Sequence, residues 1–185
     1  MEEIKIIFFI LGSFFGMEDG RIAADKTTVT VYPHDHQIEI IQEELFAVIR
    51  SQKDSALVLE QWDKLFYWKE RNTAWSKELD SFPHKSLNLI PIKDKIQPNL
   101  IFSYSEQKDL RAMGIWYDNA KNQFSINHIP QDNINTDDGK LVGNYWVFNG
   151  NNTFSFTIEP FLGMPENYKK SKKPLKELLA KTKMK

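Results

Sequence analysis

The residues best suited to chemistry in this sequence are the two histidines of the triplet His34-Asp35-His36. In an extended segment, side chains two positions apart point the same way, so both imidazoles could bind one metal ion. Zinc or copper would need a third or fourth ligand, and Glu39 would face the opposite side of a regular strand. The competing interpretation is a polar reversal after Pro33, because proline presets the φ angle of a turn. His34 and His36 are therefore a candidate metal site, and both interpretations stay open.

Other catalytic signatures are absent from the sequence. It contains no cysteine, which excludes disulfides, thiolate nucleophiles and cysteine-ligated metal centres. It also has no G-x-S-x-G elbow, no H-E-x-x-H zinc motif and no glycine-rich phosphate loop. No cofactor is predicted, and the sequence favours a protein without catalytic activity. The alternative is a metal-dependent or acid/base hydrolase that uses His34, His36 and carboxylates.

A second candidate site lies in the aromatic stretch of residues 111–160, where rings and amides occur side by side. The candidates for ligand binding are Trp116, Tyr117, Asn119, Tyr145, Trp146 and Asn149. Aromatic faces with neighbouring amides suit a protein, a glycan or an apolar ligand. Adjacent residues of a strand point to opposite faces, so one ring of each aromatic pair should lie outside the core. Those outer rings are either covered by the helices or exposed for a partner.

The same frame of residues occurs twice in this stretch, thirty positions apart. Trp116, Asn119, Asn122, Phe124 and Ser125 match Trp146, Asn149, Asn152, Phe154 and Ser155. Asn and Gly tolerate the positive φ angles of tight reversals, which predicts two similar hairpins lying side by side. Shared composition is the other explanation, because a two-copy match is weak evidence for a repeat. Gly114 and Gly143 precede the two copies, out of step by one residue.

The second copy also has a resemblance. The pattern G-x-x-W, a turn and then T-F-S-F-T, in residues 143–158, is similar to hairpins of small lipocalin-like bacterial envelope domains. The resemblance covers sixteen residues, and the helical block before it departs from an all-β barrel. No functional residue is transferred from it.

The N-terminal residues 1–24 contain an apolar run from Ile6 to Phe15, interrupted only by Gly12 and Ser13. Its length suits the core of a signal peptide and is short of the roughly 20 residues that span a bilayer. This favours a secreted or cell-envelope protein. Two alternatives stay open: a buried first strand, and a cytosolic interaction protein whose translation starts at Met17.

Charge is unevenly distributed along the chain. The 185 residues carry a formal net charge of −1. Residues 166–185 hold eight lysines against Glu166 and Glu177, which gives +6 there and −7 for the rest. We therefore predict a basic C-terminal tail or helix that makes weak contact with anionic surfaces. Specific nucleic-acid binding is not predicted, because Tyr168 is the one aromatic residue available for stacking on bases.

The periodic segments between these ends predict the fold. The expected elements are strands at 27–31, 37–42, 86–92 and 99–105, a short amphipathic helical turn at 43–50, a helix at 52–71 and a basic C-terminal helix. Ser51 and Asp54 resemble a capping box at the start of the long helix. Segregated helices and strands predict one α+β domain over residues 25–165. Its antiparallel β-sheet has about six to eight strands, an N-terminal hairpin plus a C-terminal meander, packed against a central helical block.

The predicted function combines these observations. We expect a non-catalytic, exported or envelope-associated binding domain that uses an aromatic antiparallel sheet. Its partner is a protein, a glycan or a small apolar ligand.

Overall fold

The computed structural model describes residues 6–129 and 133–183, and its fold is the α+β arrangement predicted from the sequence. The strands are β1 (Ala23–Tyr32), β2 (Gln37–Val48), β3 (His84–Ile92), β4 (Lys95–Ser103), β5 (Ile115–Asp118), β6 (Gln123–Asn127), β7 (Ile134–Asn135), β8 (Lys140–Val142), β9 (Tyr145–Asn149), β10 (Phe154–Ile158) and β11 (Lys172–Pro174). The α-helices are α1 (Gln52–Phe66), α2 (Glu166–Ser171) and α3 (Leu175–Lys183). Short 3₁₀-helices occur at Leu11–Phe15, Lys77–Leu79 and Gln107–Met113.

The strands divide between two antiparallel sheets. Sheet A has seven strands in the order β3-β4-β2-β1-β10-β7, with β11 added beside β2. Sheet B has four strands in the order β5-β6-β9-β8. Pro91 lies in β3, at one edge of sheet A, as expected of a residue that cannot donate a ladder hydrogen bond.

The two sheets meet through phenylalanine rings. Phe124 of β6 and Phe148 of β9 point out of sheet B, and Phe154 of β10 points out of sheet A. The Phe148 and Phe154 rings stack with centroids 4.2 Å apart, and Phe124 lies 5.4 Å from Phe154. All three side chains are 1% exposed or less. The strand alternation of large apolar residues therefore forms the core between the sheets.

The long helix begins where its capping box predicts. The Asp54 amide donates to Ser51 Oγ (3.2 Å), and the Ser51 amide donates to Asp54 Oδ2 (3.0 Å). Helix α1 ends at Phe66, five residues before the predicted end. The chain then turns, and Trp68 Nε1 donates to the Leu87 carbonyl of β3 (3.2 Å). This contact ties the turn after the helix to the edge of sheet A.

Most large apolar side chains of the N-terminal run from Ile6 to Phe15 lie in the core, whereas Ile7 is exposed. Phe8 is 2% exposed, and Leu11 and Phe14 are fully buried. The Phe8 carbonyl accepts a hydrogen bond from Gln42 Nε2 (2.6 Å), and both Gln42 and Phe8 are buried. A buried amide of this kind is stabilised only while its partner is present. Among the described residues, no helix has the length and apolar character needed to cross a bilayer. Residues 1–5 lie outside the described part of the chain.

The helical turn predicted at residues 43–50 is wrong. Strand β2 continues to Val48 instead, because partner strands pair along this segment. Strand β1 pairs with it as far as Phe46, and β11 pairs with residues 46–48. These long-range pairings override the local amphipathic pattern.

The prediction of two side-by-side hairpins is half wrong. Strands β5 and β6 form the first hairpin within sheet B. Strand β9 also belongs to sheet B, but β10 pairs with β1 and β7 in sheet A. Residues 150–153 therefore carry the chain from one sheet to the other. Strand β1 offers β10 a ladder of five residue pairs, from Thr27↔Ile158 to Val31↔Phe154, which a return hairpin with β9 would forgo.

Candidate functional site

Sheet B has one face turned away from the phenylalanine core. The strand register places two cross-strand rows on it: Trp116, Ser125, Val147 and Lys140, and Asn127, Tyr145 and Val142. We call these seven residues the outer face of sheet B. They alternate along each strand with the core residues, as the pleat of a strand requires.

Large apolar side chains are exposed on or beside this face. Trp116 is 43% exposed, Tyr145 46% and Val142 60%, and Leu141 at the β8 edge is 49% exposed. The Arg111 guanidinium lies 5.0 Å from the centroid of the Trp116 ring, a cation–π contact that orients the indole. Of the twelve exposed large hydrophobic residues in the described chain, these four belong to sheet B. Neither of the two longer helices, α1 and α3, has a substantial contact with sheet B.

The other ring of each aromatic pair points inward. The Tyr117 ring lies 4.8 Å from Phe124, and its hydroxyl donates to Asn122 Oδ1 (2.8 Å). Trp146 packs against the core, and its Nε1 donates to His128 Nδ1 (3.1 Å). Tyr117 and Trp146 therefore pack on the inner face of the sheet, while Trp116 and Tyr145 are accessible to a partner.

The amides predicted to bind a ligand lie in the turns of this sheet. Asn119 is exposed in the β5–β6 turn. Asn149 Oδ1 accepts a hydrogen bond from the Asn151 amide (2.9 Å), so this side chain holds the turn after β9. Asn122 joins the two turns, because its Nδ2 donates to Asn151 Oδ1 (2.9 Å) and its carbonyl accepts from Gly150 N (2.9 Å).

Six residues at this surface were not among the candidates from the sequence: Arg111, Ser125, Asn127, Lys140, Val142 and Val147. Val142 and Val147 follow from the alternation of β8 and β9 once the direction of Tyr145 is known. Arg111 precedes β5 in a 3₁₀-helix, and no periodic pattern in the sequence indicates its contact with Trp116.

The candidate metal site lies in the turn between β1 and β2. His36 has a φ angle of 50°, in the left-handed region, so His34 and His36 do not follow the alternation of a strand. The His36 ring stacks on Tyr104 with centroids 5.2 Å apart, while His34 is exposed. Over residues 6–129 and 133–183, no group of three or more His, Asp or Glu side chains is arranged to hold a metal ion. Among the described residues, the structure therefore adds no further metal ligand to the two histidines of this predicted site.

Tyr104 itself is unusual in this region. Its side chain is 2% exposed, and its hydroxyl has no hydrogen-bond partner among the described residues. Burial raises the pKa of Tyr104 to about 12. A hydroxyl held in this way is neutral at every physiological pH, so it packs against His36 as an uncharged ring.

The outer face of sheet B therefore presents accessible aromatic and aliphatic side chains on a four-stranded sheet. Comparison of this chain with protein-family models, with curated proteins and with solved structures found no match. Any function assigned to this surface accordingly has to come from its side chains and their geometry.

Proposed function

We propose that this protein is a non-catalytic binding domain, exported or associated with the cell envelope, that binds a partner protein through the outer face of sheet B. The observation that carries the proposal is the exposure of Trp116, Tyr145 and Val142 on one face of a four-stranded sheet. Contiguous exposed apolar surface on a folded domain marks interaction sites.

The composition of this face favours a protein partner. Trp, Tyr and Arg are the residue types that dominate binding energy at protein interfaces, and Trp116, Tyr145 and Arg111 supply one of each. Val142 adds exposed aliphatic area, which an apolar interface core uses and a polar glycan does not. Lys140 and Asn127 at its margin supply a polar rim.

Photo-crosslinking tests this proposal directly. A photoreactive amino acid is placed at Tyr145, and separately at Tyr67, an equally exposed aromatic residue after α1 with 45% exposure. In cells of the native source we expect a discrete protein adduct from position 145 and none from position 67. Adducts of equal yield from both positions, or no protein adduct from position 145, would contradict the proposal.

A matched pair of double variants then locates the binding energy. We expect Trp116→Ser with Tyr145→Ser to weaken binding of the captured protein by about 100-fold, because two anchors are removed. Phe66→Ser with Tyr67→Ser removes a similar exposed aromatic area from the end of α1 and should leave the affinity unchanged. Retention of a purified glycan by the wild type, lost in the first variant, would replace the protein by a sugar as the ligand.

The exported location is a proposal that the N-terminal run motivates. In the folded chain Phe8, Leu11 and Phe14 occupy core positions, and Ala24 lies in the paired part of β1 opposite Leu45. N-terminal sequencing of the native protein shows whether the N-terminal run is removed. A start at Asp25 would show cleavage, and a start upstream of Ile6 would show that the run is retained. A chain that begins at Met17, or at Asp25, lacks the buried side chains of Ile6, Phe8, Leu11, Phe14 and Phe15. The loss of each costs about 2 kcal/mol or more, so we expect neither chain to fold.

A further inference from the structure

A cleft of about 740 Å³ opens on sheet A where β2 changes neighbours. Strand β4 pairs with β2 as far as Ile41↔Asn99, and the next residue of β4 is Pro98, which has no N–H to donate. Strand β11 takes over beside β2 from Phe46. The interval between these two neighbours is covered by α3 and the β3–β4 hairpin tip. We call it the C-terminal cleft.

The floor of the C-terminal cleft is apolar. Its lining includes Leu45, Pro91, Ile96, Leu175, Leu179 and Ala180. Leu45 and Leu175 are buried, whereas Ala180 is exposed on the surface of α3. A volume of this size lies within the range of sites that bury most of a small ligand, and such sites are mostly apolar.

Charged side chains form the rim of the cleft. Lys95 Nζ pairs with Glu44 Oε1 (2.5 Å), and Lys176 Nζ pairs with Asp94 Oδ2 (3.0 Å). The hydrogen bond from Lys176 holds the pKa of Asp94 below its ordinary value. These pairs occupy two of the three carboxylates at the rim, and Glu177 is the third. Lys93 has no carboxylate partner within the described residues.

The backbone at the rim is strained in two places. Glu44 has a φ angle of 57° and Lys93 one of 56°, both in the left-handed region that favours glycine. Neither position is glycine, and both side chains lie at the cleft. Strained non-glycine residues cluster at ligand sites, where the side chain is needed despite the backbone cost.

The surroundings of the cleft are basic. In the adjoining segment of α2, β11 and α3, Lys170, Lys173 and Lys181 have no carboxylate partner among the residues that the structure describes. A cluster of one sign raises the local concentration of oppositely charged ligands. An anion is therefore attracted to this end of the molecule, although the rim itself carries equal numbers of lysines and carboxylates.

We propose that the C-terminal cleft binds an anionic amphiphile, with a single acyl chain on the apolar floor and a carboxylate or phosphate headgroup at Lys93. Two sources supply this chemistry: a free fatty acid, or a lipid drawn from an anionic membrane. The site is separate from the outer face of sheet B, so this inference stands independently of the proposed function.

A cleft-filling variant tests the acyl-chain part. The probe is a dansyl-labelled undecanoic acid below its critical micelle concentration, followed by fluorescence. Wild-type protein should bind it saturably, and Ala180→Phe should raise Kd about tenfold or more by filling the cleft. Ala56→Phe, at an exposed alanine of α1, is the matched control and should bind like wild type. Absence of saturable binding, or equal Kd values for the two variants, would overturn the proposal.

One measurement and one replacement variant guard against a loss of binding that is caused by misfolding. Thermal unfolding should give the same midpoint for Ala180→Phe as for Ala56→Phe, since both alanines are exposed. If Ala180→Phe fails to fold, the smaller Ala180→Leu takes its place and is held to the same comparison with Ala56→Phe.

A charge reversal tests the headgroup part. Lys93→Glu keeps a non-glycine residue at the strained position and should raise Kd for the probe about fivefold at low salt, with the difference shrinking as salt is added. Lys53→Glu on the exposed surface of α1 is the control of equal charge. Equal effects of the two reversals would show that general charge, not Lys93, attracts the ligand, and would overturn this assignment.

Vesicles distinguish the two sources. The wild type is sedimented with phosphatidylglycerol vesicles and with phosphatidylcholine vesicles. Binding to the anionic vesicles that Ala180→Phe abolishes supports a membrane lipid as the source. Binding of the free probe without vesicle binding supports a fatty acid. Vesicle binding that Ala180→Phe leaves intact, in a protein that does not bind the free probe, would replace the cleft by simple surface adsorption and overturn the proposal.

Discussion

The two copies of the W-x₂-N-x₂-N-x-F-S frame share their spacing, yet their tryptophans point in opposite directions. Trp116 lies on the outer face of sheet B and is 43% exposed, whereas Trp146 packs against the core. The phenylalanines of the two copies, by contrast, have the same environment. Phe124 and Phe154 are both buried, and their ring centroids lie 5.4 Å apart. The phenylalanine position of the frame is thus equivalent in the two copies, and the tryptophan position is not.

The register with β6 accounts for the tryptophans. Trp116 and Trp146 are each the second residue of their strand, β5 and β9. Trp116 pairs with Ser125 of β6, whereas Trp146 pairs with the adjacent residue Ile126. Side chains alternate along a strand, so residues that pair with adjacent partners lie on opposite faces of the sheet. A sequence match at fixed spacing therefore does not establish matching faces unless the cross-strand register also matches.

The largest expected effect tests the equivalence of the phenylalanines. Phe124→Ala and Phe154→Ala each remove a ring from the same inter-sheet contact, so each should lower the free energy of unfolding by about 3–5 kcal/mol. Urea unfolding measures both. If one variant had a free energy of unfolding close to that of wild type, the two rings would not share one core and the phenylalanine positions would not be equivalent.

The tryptophans should differ where the phenylalanines agree. Trp146→Ala loses core packing and the hydrogen bond to His128, so we expect a loss of about 2–3 kcal/mol. Trp116→Ala removes an exposed ring and should cost about 0.5 kcal/mol or less. The same urea experiment gives both values, and equal costs would disprove the opposite directions of the two rings.

The turns of the two copies are joined, and Gly150 is the point of closest approach. A Cβ added there would lie 2.7 Å from the Asn122 carbonyl oxygen, closer than such atoms pack. We expect Gly150→Ala to cost about 1–3 kcal/mol. Gly163→Ala is the control, because nothing lies within 4 Å of its added Cβ. Thermal unfolding measures both variants, and equal midpoints would show that the two turns do not contact each other closely at Gly150.

Two tyrosine hydroxyls also differ in their surroundings, and the expected effect at neutral pH is small. Tyr117 in the first copy donates to Asn122, whereas Tyr104 has no such partner in the described chain. Tyr104→Phe should therefore change stability at pH 7 by less than about 1 kcal/mol. Above about pH 10 the unfolded tyrosine ionises before the folded one, whose pKa is about 12. Wild type should then lose stability that the variant keeps as pH rises from about 10 to about 12, as alkaline urea titrations would show. Parallel loss in both proteins would contradict the assigned pKa.

Local signals in the sequence were reliable guides to single elements. Ser51 and Asp54 form the predicted cap, and Phe154, Phe156 and Ile158 alternate inward as their spacing indicates. Strand partners could not be predicted in this way. Whether β10 pairs with β9 or with β1 depends on residues more than 120 positions away, and no local pattern in 143–158 distinguishes these outcomes.

The sites show the same division. Strand alternation predicts that one ring of each aromatic pair is accessible, but the register with neighbouring strands is needed to choose Trp116 and Tyr145. The C-terminal cleft is lined by residues 44–45, 91–96 and 174–180, three segments far apart in the chain. The cleft exists because these segments pack next to one another, and the hydrophobic periodicity of the sequence does not predict such long-range packing.

The position of β1 between β2 and β10 has a consequence for biosynthesis. Strand β1 leaves the ribosome more than 120 residues before β10, so one of its two edges stays open until residues 154–158 are made. Contacts of such long sequence separation form slowly, because a long loop must close before they stabilise the chain. Nascent chains therefore expose a β-branched edge until β10 is made, and their yield should depend on a chaperone that shields it.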